Sequence, residues 1–225
     1  MANIRVIVAD DHHLVREALA RTLDGAEGME CIGTAKDGAE IVKLAQKLLP
    51  DVAIIDVSMP GMDGIEATRR IKSTCPSTAV LILSAYKFEH YVVASIEAGA
   101  DGYVLKSNMP SKGLVNAVRT VHDGASVLDR EPSELLRRLA IGKGKQEVNQ
   151  GELGRRELQV LKLAAKGMSN KQIAIELHIS DQTVGTHFVN IFRKLEVKSR
   201  MEAVLYALRK GWIPVFKLGS EEFAD

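Results

Sequence analysis

The sequence predicts an α/β domain followed by an all-α domain: a doubly wound, five-stranded parallel sheet, then four short helices. Three observations carry this reading. Between residues 4 and 124, short β-branched apolar runs alternate five times with stretches of helical spacing. A glycine- and charge-rich stretch, Gly142-Lys143-Gly144-Lys145-Gln146-Glu147-Val148-Asn149-Gln150-Gly151, then breaks the pattern. Beyond it only helical spacing returns.

The first strand, Ile4 to Ala9, stops at Asp10-Asp11. Leu14 to Leu23 has helical spacing and closes at Gly25. Cys31 to Ala35 is a second, weaker strand. Ala39 to Leu49 is a helix that ends before Pro50, because proline disfavours helix in the residue ahead of it. Val52 to Ile55 is the third strand. It runs into Asp56 and then into the punctuation of Pro60, Gly61 and Gly64. A helix from Ile65 to Thr74 stops near Pro76. Ala79 to Leu83 is the fourth strand, followed by Ser84. Tyr91 to Ala98 is helical with Gly99 as its stop. Gly102 to Leu105 is the fifth strand and ends at Lys106. Leu114 to His122 closes the domain at Gly124. Right-handed crossovers place helices on both faces of such a sheet.

Size and charge narrow the function. A chain of 225 residues fits one large or two small domains. Its 30 basic and 29 acidic residues nearly cancel, which excludes a uniformly polybasic nucleic-acid binder. Residues 1–125 carry 13 basic against 16 acidic residues, whereas residues 151–213 carry 11 against 6. Different partners are expected for the two halves. Cys31 and Cys75 form no metal or redox motif and read as small buried hydrophobes in a reducing compartment. No basic-plus-apolar leader and no apolar run near the ~18 residues needed to span a bilayer is found, so a soluble, cytoplasmic protein without membrane contact is expected.

Polar residues follow four of the five strands: Asp10 and Asp11, Asp56, Ser84 and Lys106. Each alone has a plain explanation, since Asp caps helices, Ser begins turns and Lys is solvated. Their shared place at the carboxyl edge of the sheet, where ligands bind in open α/β folds, does not. Crowded carboxylates repel, and a hard cation such as Mg²⁺ with its preference for oxygen relieves them. A carboxylate beside such a cation can attack a phosphoryl group, with lysine neutralising the charge that develops.

Residues 3–124 resemble the receiver domain of two-component response regulators, a flavodoxin-like fold. Asp10 and Asp11 match the acidic pair, Asp56 the phosphoacceptor, and Met59-Pro60-Gly61-Met62-Asp63-Gly64 the loop after it. Ser84 matches the switch hydroxyl, Tyr103 the switch aromatic and Lys106 the lysine of that pattern. The resemblance implies Mg²⁺ held by Asp11, Asp56 and the Ser58 carbonyl, with Asp10 assisting through water, and a sensor histidine kinase as donor. Ser107 follows Lys106 where many receivers have proline. Phosphorylation adds about −1.5 to −2 charges, which would draw in Ser84 and Lys106 and move Tyr103 between outward and inward positions.

In the back half, helices are expected over Arg155–Lys166, from Ser169-Asn170 to Leu177, over Asp181–Leu195, and from Ser199 to Arg209. The second and third are separated by His178-Ile179-Ser180, the spacing of helix-turn-helix, so the third enters the DNA major groove. Leu153 to Ile213 resembles the LuxR-type helix-turn-helix domain. Arg156-Glu157, Gly167 to Ala174, Thr183-Val184, His187, Asn190-Ile191, Lys194-Leu195, Val197 and Arg200 carry the match. Receiver plus this domain is the arrangement of the NarL/FixJ regulators. It implies DNA contacts from Thr183, Gly185, Thr186, His187, Val189, Asn190, Arg193, Lys194, Lys198 and Arg200. Gly154, Gly185 and Val189 depart from the common pattern of a capping Thr, a lysine and a polar residue. Gly185 costs on the order of 1 kcal/mol in helix propensity. The last helix, with Ala203, Val204, Ala207 and Leu208, is the candidate dimer face.

The sequence thus divides into a receiver over 1–125, a linker with a short helix over 126–151, a helix-turn-helix domain over 152–213 and a tail over 214–225. The expected function is a transcription regulator, a homodimer when phosphorylated, that binds promoter DNA and performs no turnover. An Asp-nucleophile hydrolase would carry a second Asp at position 58, where Ser58 stands. A protein-interaction adaptor with weak DNA binding is the other reading that Gly185 and Val189 leave open.

Overall fold

In the computed structural model, residues 3–85, 88–108, 111–129, 132, 153–210 and 212–213 are described. Apart from Pro132, the linker helix expected within 132–141 lies outside them, as do the glycine-rich stretch and the acidic tail.

Strands β1 (Ile4–Ala9), β2 (Met29–Ala35), β3 (Val52–Ile55), β4 (Ala79–Ser84), β5 (Gly102–Leu105) and β6 (Val127–Leu128) form one sheet in the order β2-β1-β3-β4-β5-β6. Every neighbouring pair is parallel. The sheet therefore has six strands, not five. Val127 and Leu128, read from sequence as the start of the linker, pair with Gly102 and Tyr103. Two residues are too few to show a periodicity.

Helices α1 (His13–Asp24) and α5 (Ser111–His122) cover one face. Helices α2 (Gly38–Leu48), α3 (Gly64–Thr74) and α4 (Glu89–Glu97) cover the other. Alternation along the strands sorts the core. Val6, Val8, Val52, Ile54, Leu81, Leu83 and Val104 pack with Leu23, Leu114 and Val118. Ile7, Ala53, Ile55, Val80, Ile82 and Leu105 pack with Ile41, Ile71, Val92 and Ile96. Strands buried on both faces read as continuous apolar runs, which is why β1, β3 and β4 were legible. Cys75 is buried, but Cys31 is only half-buried because β2 is the edge strand.

The second unit consists of α6 (Arg155–Ala164), α7 (Asn170–Leu177), α8 (Asp181–Leu195) and α9 (Arg200–Arg209). Ser169 caps α7, Ser180 caps α8 and Ser199 caps α9, each accepting from the backbone N–H of the third helical residue. Gly154 caps α6 without a side chain, and Glu157 Oε2 accepts the Gly154 N–H at 2.6 Å instead. Val160, Leu161, Ile173, Val184, Phe188, Ile191, Ala203 and Ala207 share the core of this unit.

The two units touch. Met201 and Leu205 of α9 join the receiver-side cluster that contains Val92 and Ile96 of α4. Burying two such side chains favours the closed arrangement by about 1.5–3 kcal/mol each. Arg200 Nη1 donates to the Gly124 carbonyl at 2.9 Å, and Arg209 lies 3.4 Å from Glu97. The α9 face expected to form a dimer is not free here. Ala203, Val204, Ala207 and Leu208 are buried in the helical core, because α9 is apolar on both sides.

Candidate functional site

Strand register builds the first site. Ala9 pairs with Ile55, Ile55 with Ile82, and Ile82 with Tyr103, so the strand ends are level. Asp10 and Asp56 each follow by one residue, and the Asp56 N–H donates to the Ala9 carbonyl at 2.9 Å. Ser84 ends β4, and Lys106 begins a single 3-10 turn after β5. The Lys106 ammonium lies 2.6 Å from Asp10 Oδ2 and 3.0 Å from Asp56 Oδ1. Both carboxylates are nearly inaccessible, with side-chain exposures of 1% and 5%.

The loop after Asp56 is held from beneath. Gly64 N–H donates to the Val57 carbonyl at 2.9 Å, and a Cβ on Gly64 would overlap the Asp56 carbonyl oxygen. Only glycine lets α3 begin this close to the acceptor strand. Ser58 sits in this loop on the exposed side, and Asp63 caps α3 by accepting the Glu66 N–H at 2.7 Å.

Burial raises the Asp56 carboxyl above its ordinary range; the Lys106 bond and charge oppose this, and the Asp10 and Asp11 charges reinforce it. Burial would lower the Lys106 ammonium, but its bonds and charge interactions with Asp10 and Asp56 raise it overall. Lys106 is thus cationic at neutral pH while Asp56 is held under electrostatic pressure. A raised carboxyl pKa means that folding disfavours the ionised form, an instability that is present above the folded pKa and relieved as pH falls through it. Asp56→Asn in chelator is therefore expected to melt about 2–4 °C higher at pH 7. The gain should shrink as pH drops toward 4, as read by calorimetry.

Ser84 and Tyr103 are fully buried, and their side chains are hydrogen-bonded to each other. Burial raises the Tyr103 hydroxyl above its ordinary range, and the Ser84 bond opposes this. Tyr103 therefore stands in the inward position. Asp11 is exposed; its Oδ1 lies 2.7 Å from His12 Nδ1, while the His12 N–H donates to Asp10 Oδ1 at 3.0 Å. The ligand atoms of Asp10, Asp11 and His12 lie within 4.8 Å of one another. With Asp56 beside them the donors are mainly hard oxygens, a set that suits Mg²⁺. His12 and Arg16 at this site were not foreseen. Their spacing of four, from the N-cap into the first turn of α1 and directly after the acidic pair, was the available signal.

The second site is α8. Its buried stripe is Val184, Phe188, Ile191 and Leu195, which leaves Gln182, Thr183, Thr186, Val189 and Arg193 exposed. The spacing of Gln182, Thr186, Val189 and Arg193 makes one surface stripe. A side chain at Gly185 would meet nothing within 4 Å. Thr183 shares its hydroxyl with Ser180, and Thr186 donates to the Gln182 carbonyl. Asn190 accepts from Arg193 at 3.2 Å, and His187 is half-buried.

Two of the expected phosphate-contacting cations, Lys194 and Arg200, are engaged elsewhere. Lys194 pairs with Glu157 at 2.7 Å. Although burial opposes it, the Lys194 ammonium and the Gly154 N–H hold the Glu157 carboxyl below its ordinary range. The base of the Lys198 side chain passes beside Gly99 of the first unit, but the residue stays exposed. Arg200 is not on an exposed face at all. It is 5% exposed, donates to Gly124, Met168 and Asn170, and its guanidinium lies over the Phe188 ring at 5.0 Å. Burial lowers its pKa to about 9, which leaves it cationic at neutral pH. Val189, Phe188, Lys198 and Arg200 line a cleft of about 480 Å³ whose other wall includes Asp51, Lys72, Pro76 and Asp101.

Among the described residues no helix is long and apolar enough to cross a membrane. Residues 6–119 match the family described as response regulator receiver domain, and residues 152–207 match bacterial regulatory proteins, luxR family. The oxygen regulatory protein NreC of Staphylococcus carnosus is 39% identical over 213 residues, spanning 92% of this chain and 98% of that protein. The transcriptional regulatory protein LnrK of Bacillus subtilis is 38% identical over 216 residues, with the same two shares. A solved structure of the response regulator ChrA, from a haem-sensing two-component system, aligns with TM-score 0.52 and 35% identity, over 95% of this chain and 100% of that one. A structure of two RcsB dimers bound to two parallel DNAs aligns with TM-score 0.56 and 28% identity, over 92% and 98%.

Proposed function

Because the chain belongs to the NarL/FixJ response regulators, in which a receiver domain precedes a LuxR-type DNA-binding domain, we propose that phosphorylation of Asp56 controls its hold on promoter DNA. The protein is a DNA-binding transcription regulator of a two-component system. The observation that supports Asp56 as acceptor is the Lys106 ammonium set between two buried carboxylates at the strand ends.

Asp10, Asp11, Asp56 and the Ser58 carbonyl would hold Mg²⁺, which when bound neutralises charge on the phosphoryl oxygens. An Asp56 carboxylate oxygen forms the new O–P bond as the P–N bond to a phosphohistidine of a sensor kinase breaks. The imidazole leaves with a proton. Lys106 stays protonated and faces the added charge. Ser84, now bonded to Tyr103, is placed to turn to the new oxygens. Asp56 is consumed as acceptor and regenerated by hydrolysis, so the protein is a switch and not a turnover catalyst.

The unphosphorylated chain is closed. Receiver residues 1–125 face the helix-turn-helix domain, 152–213, and Lys198, Arg200 and Val189 lie along that boundary. Receiver packing thus reaches Lys198 and Arg200 at the end of the DNA-binding surface, while Thr183, Thr186, Val189 and Arg193 of α8 stay exposed. Opening frees the Met201 and Leu205 side of α9 for pairing with a second copy, and the work is done in the cytoplasm.

Binding to promoter fragments across a salt series tests the DNA reading. The affinity must fall linearly on logarithmic axes, because phosphate contacts release counterions. A flat salt response would leave only an adaptor role. Gly185→Lys meets open space, gains helix propensity and adds a cation. It should raise affinity about 5–10-fold and steepen the salt slope by about 1.

A further inference from the structure

The hydrogen bonds around Asp10 give one more residue a part in this chemistry. The strand ladder ends at Ala9, whose carbonyl accepts the Asp56 N–H, while the Asp10 N–H reaches the Ala35 carbonyl at 3.2 Å. The Asp10 carbonyl lies just beyond the ladder, in a residue that is 1% exposed. Arg16 supplies its donor: Nη1 reaches the Asp10 oxygen at 2.6 Å. That oxygen belongs to the peptide plane joining Asp10 to Asp11. Rotation of the plane re-aims both acidic side chains, since it sets ψ of Asp10 and φ of Asp11.

The other contacts hold Asp10 by its carboxylate, through the His12 N–H at 3.0 Å and the Lys106 ammonium at 2.6 Å. Neither holds the plane itself, and Asp11 is exposed, with His12 at its carboxylate. Arg16 comes from the first turns of α1, half-buried, so the reach from helix to strand end is fixed by the fold. We propose that Arg16 is a positioning residue: its guanidinium locks the Asp10–Asp11 peptide so that both carboxylates face one cation. This rests on the reading that Asp10 and Asp11 hold Mg²⁺.

The sign of the effect separates positioning from charge. Removing a cation from an acidic cluster would tighten Mg²⁺ on Coulombic grounds alone. Loss of the lock loosens it, because a neutral-to-charged hydrogen bond no longer orders the ligands. Calorimetric titration of the full chain with Mg²⁺ decides. Arg16→Met and Arg16→Gln, the second too short to reach the carbonyl, should each weaken binding about five-fold, and Arg16→Lys should stay within about two-fold of wild type. Melting in chelator should fall by a few degrees in Arg16→Met and Arg16→Gln, which leave the Asp10 carbonyl without its donor, and hold in Arg16→Lys. The rate of acetyl phosphate uptake at saturating Mg²⁺ should recover, so that the half-saturating concentration moves and the plateau does not.

Wild-type or tighter Mg²⁺ binding in Arg16→Met and Arg16→Gln overturns the role of Arg16. Should one of these variants fail to fold, the other and Arg16→Lys still decide. Asp11→Ala checks the underlying reading: if it binds Mg²⁺ as wild type does, the metal loop is wrong and the proposal falls with it. Loss in Asp11→Ala with no loss in the Arg16 variants removes Arg16 alone.

Discussion

Asp56→Ala should take up no phosphoryl group from acetyl phosphate and Mg²⁺, while the wild type gains the mass of one. The argument is geometric. Asp56 stands one residue past the end of β3, level with Asp10 through the pairing of Ala9 and Ile55. Its carboxylate is 5% exposed at the side chain and 3.0 Å from the Lys106 ammonium. Crowding with Asp10 and Asp11 holds it in a state that a cation or a new bond relieves. Asp63, which caps α3, and Asp11, which is exposed, have no comparable lysine contact among the described residues and should not substitute as acceptors. Lys106→Ala keeps the acceptor but loses the ammonium opposite the developing charge. It should slow uptake by about 100-fold, the usual cost of one such group. Equal mass gain in Asp56→Ala would move the acceptor elsewhere.

The second large effect is on Arg200. Arg200→Ala should destabilise the helix-turn-helix domain by about 2–4 kcal/mol, because it strips donors from buried acceptors and empties the space over Phe188. The affected groups are the Gly124 and Met168 carbonyls and the Asn170 amide oxygen. A drop in the domain's melting temperature by several degrees reads this out. Had Arg200 only faced phosphates, as its sequence position implies, alanine would leave stability within about 0.5 kcal/mol and merely weaken DNA binding. Lys194→Ala should fall between these cases, since its partner Glu157 is largely buried and also caps α6.

These contrasts show where sequence was a sufficient guide. The strands were legible because β1, β3 and β4 are buried on both faces, so their apolar runs are unbroken. The acceptor edge was legible because parallel register makes strand ends coincide: Asp10, Asp56, Ser84 and Lys106 are each the first polar residue after such a run. Helix α8 was legible through Val184, Phe188, Ile191 and Leu195 at helical spacing and through the Ser180 cap.

What escaped depends on contacts between segments far apart in the chain. Val127 and Leu128 become a strand only because β5 offers an open edge. Arg200 reads as a DNA-facing cation until Gly124, 76 residues earlier, is placed beside it. Helix α9 shows apolar residues all round, and no periodicity tells which side meets its own core and which meets the receiver. Met201 and Leu205 went to the receiver, whereas Ala203 and Ala207 went inward. Arg16 looked like an ordinary helix cation because a side chain's bond to a backbone oxygen leaves no mark in residue type.

One measurement bears most directly on phosphoryl control of DNA binding: the affinity of the full chain for promoter fragments at fixed salt, before and after acetyl phosphate with Mg²⁺. Wild type should bind at least about 10-fold more tightly once phosphorylated, an effect of about 1.4 kcal/mol, and Asp56→Ala should not change. Wild-type protein that carries the phosphoryl group, verified by mass, yet binds DNA no better than before would contradict the account.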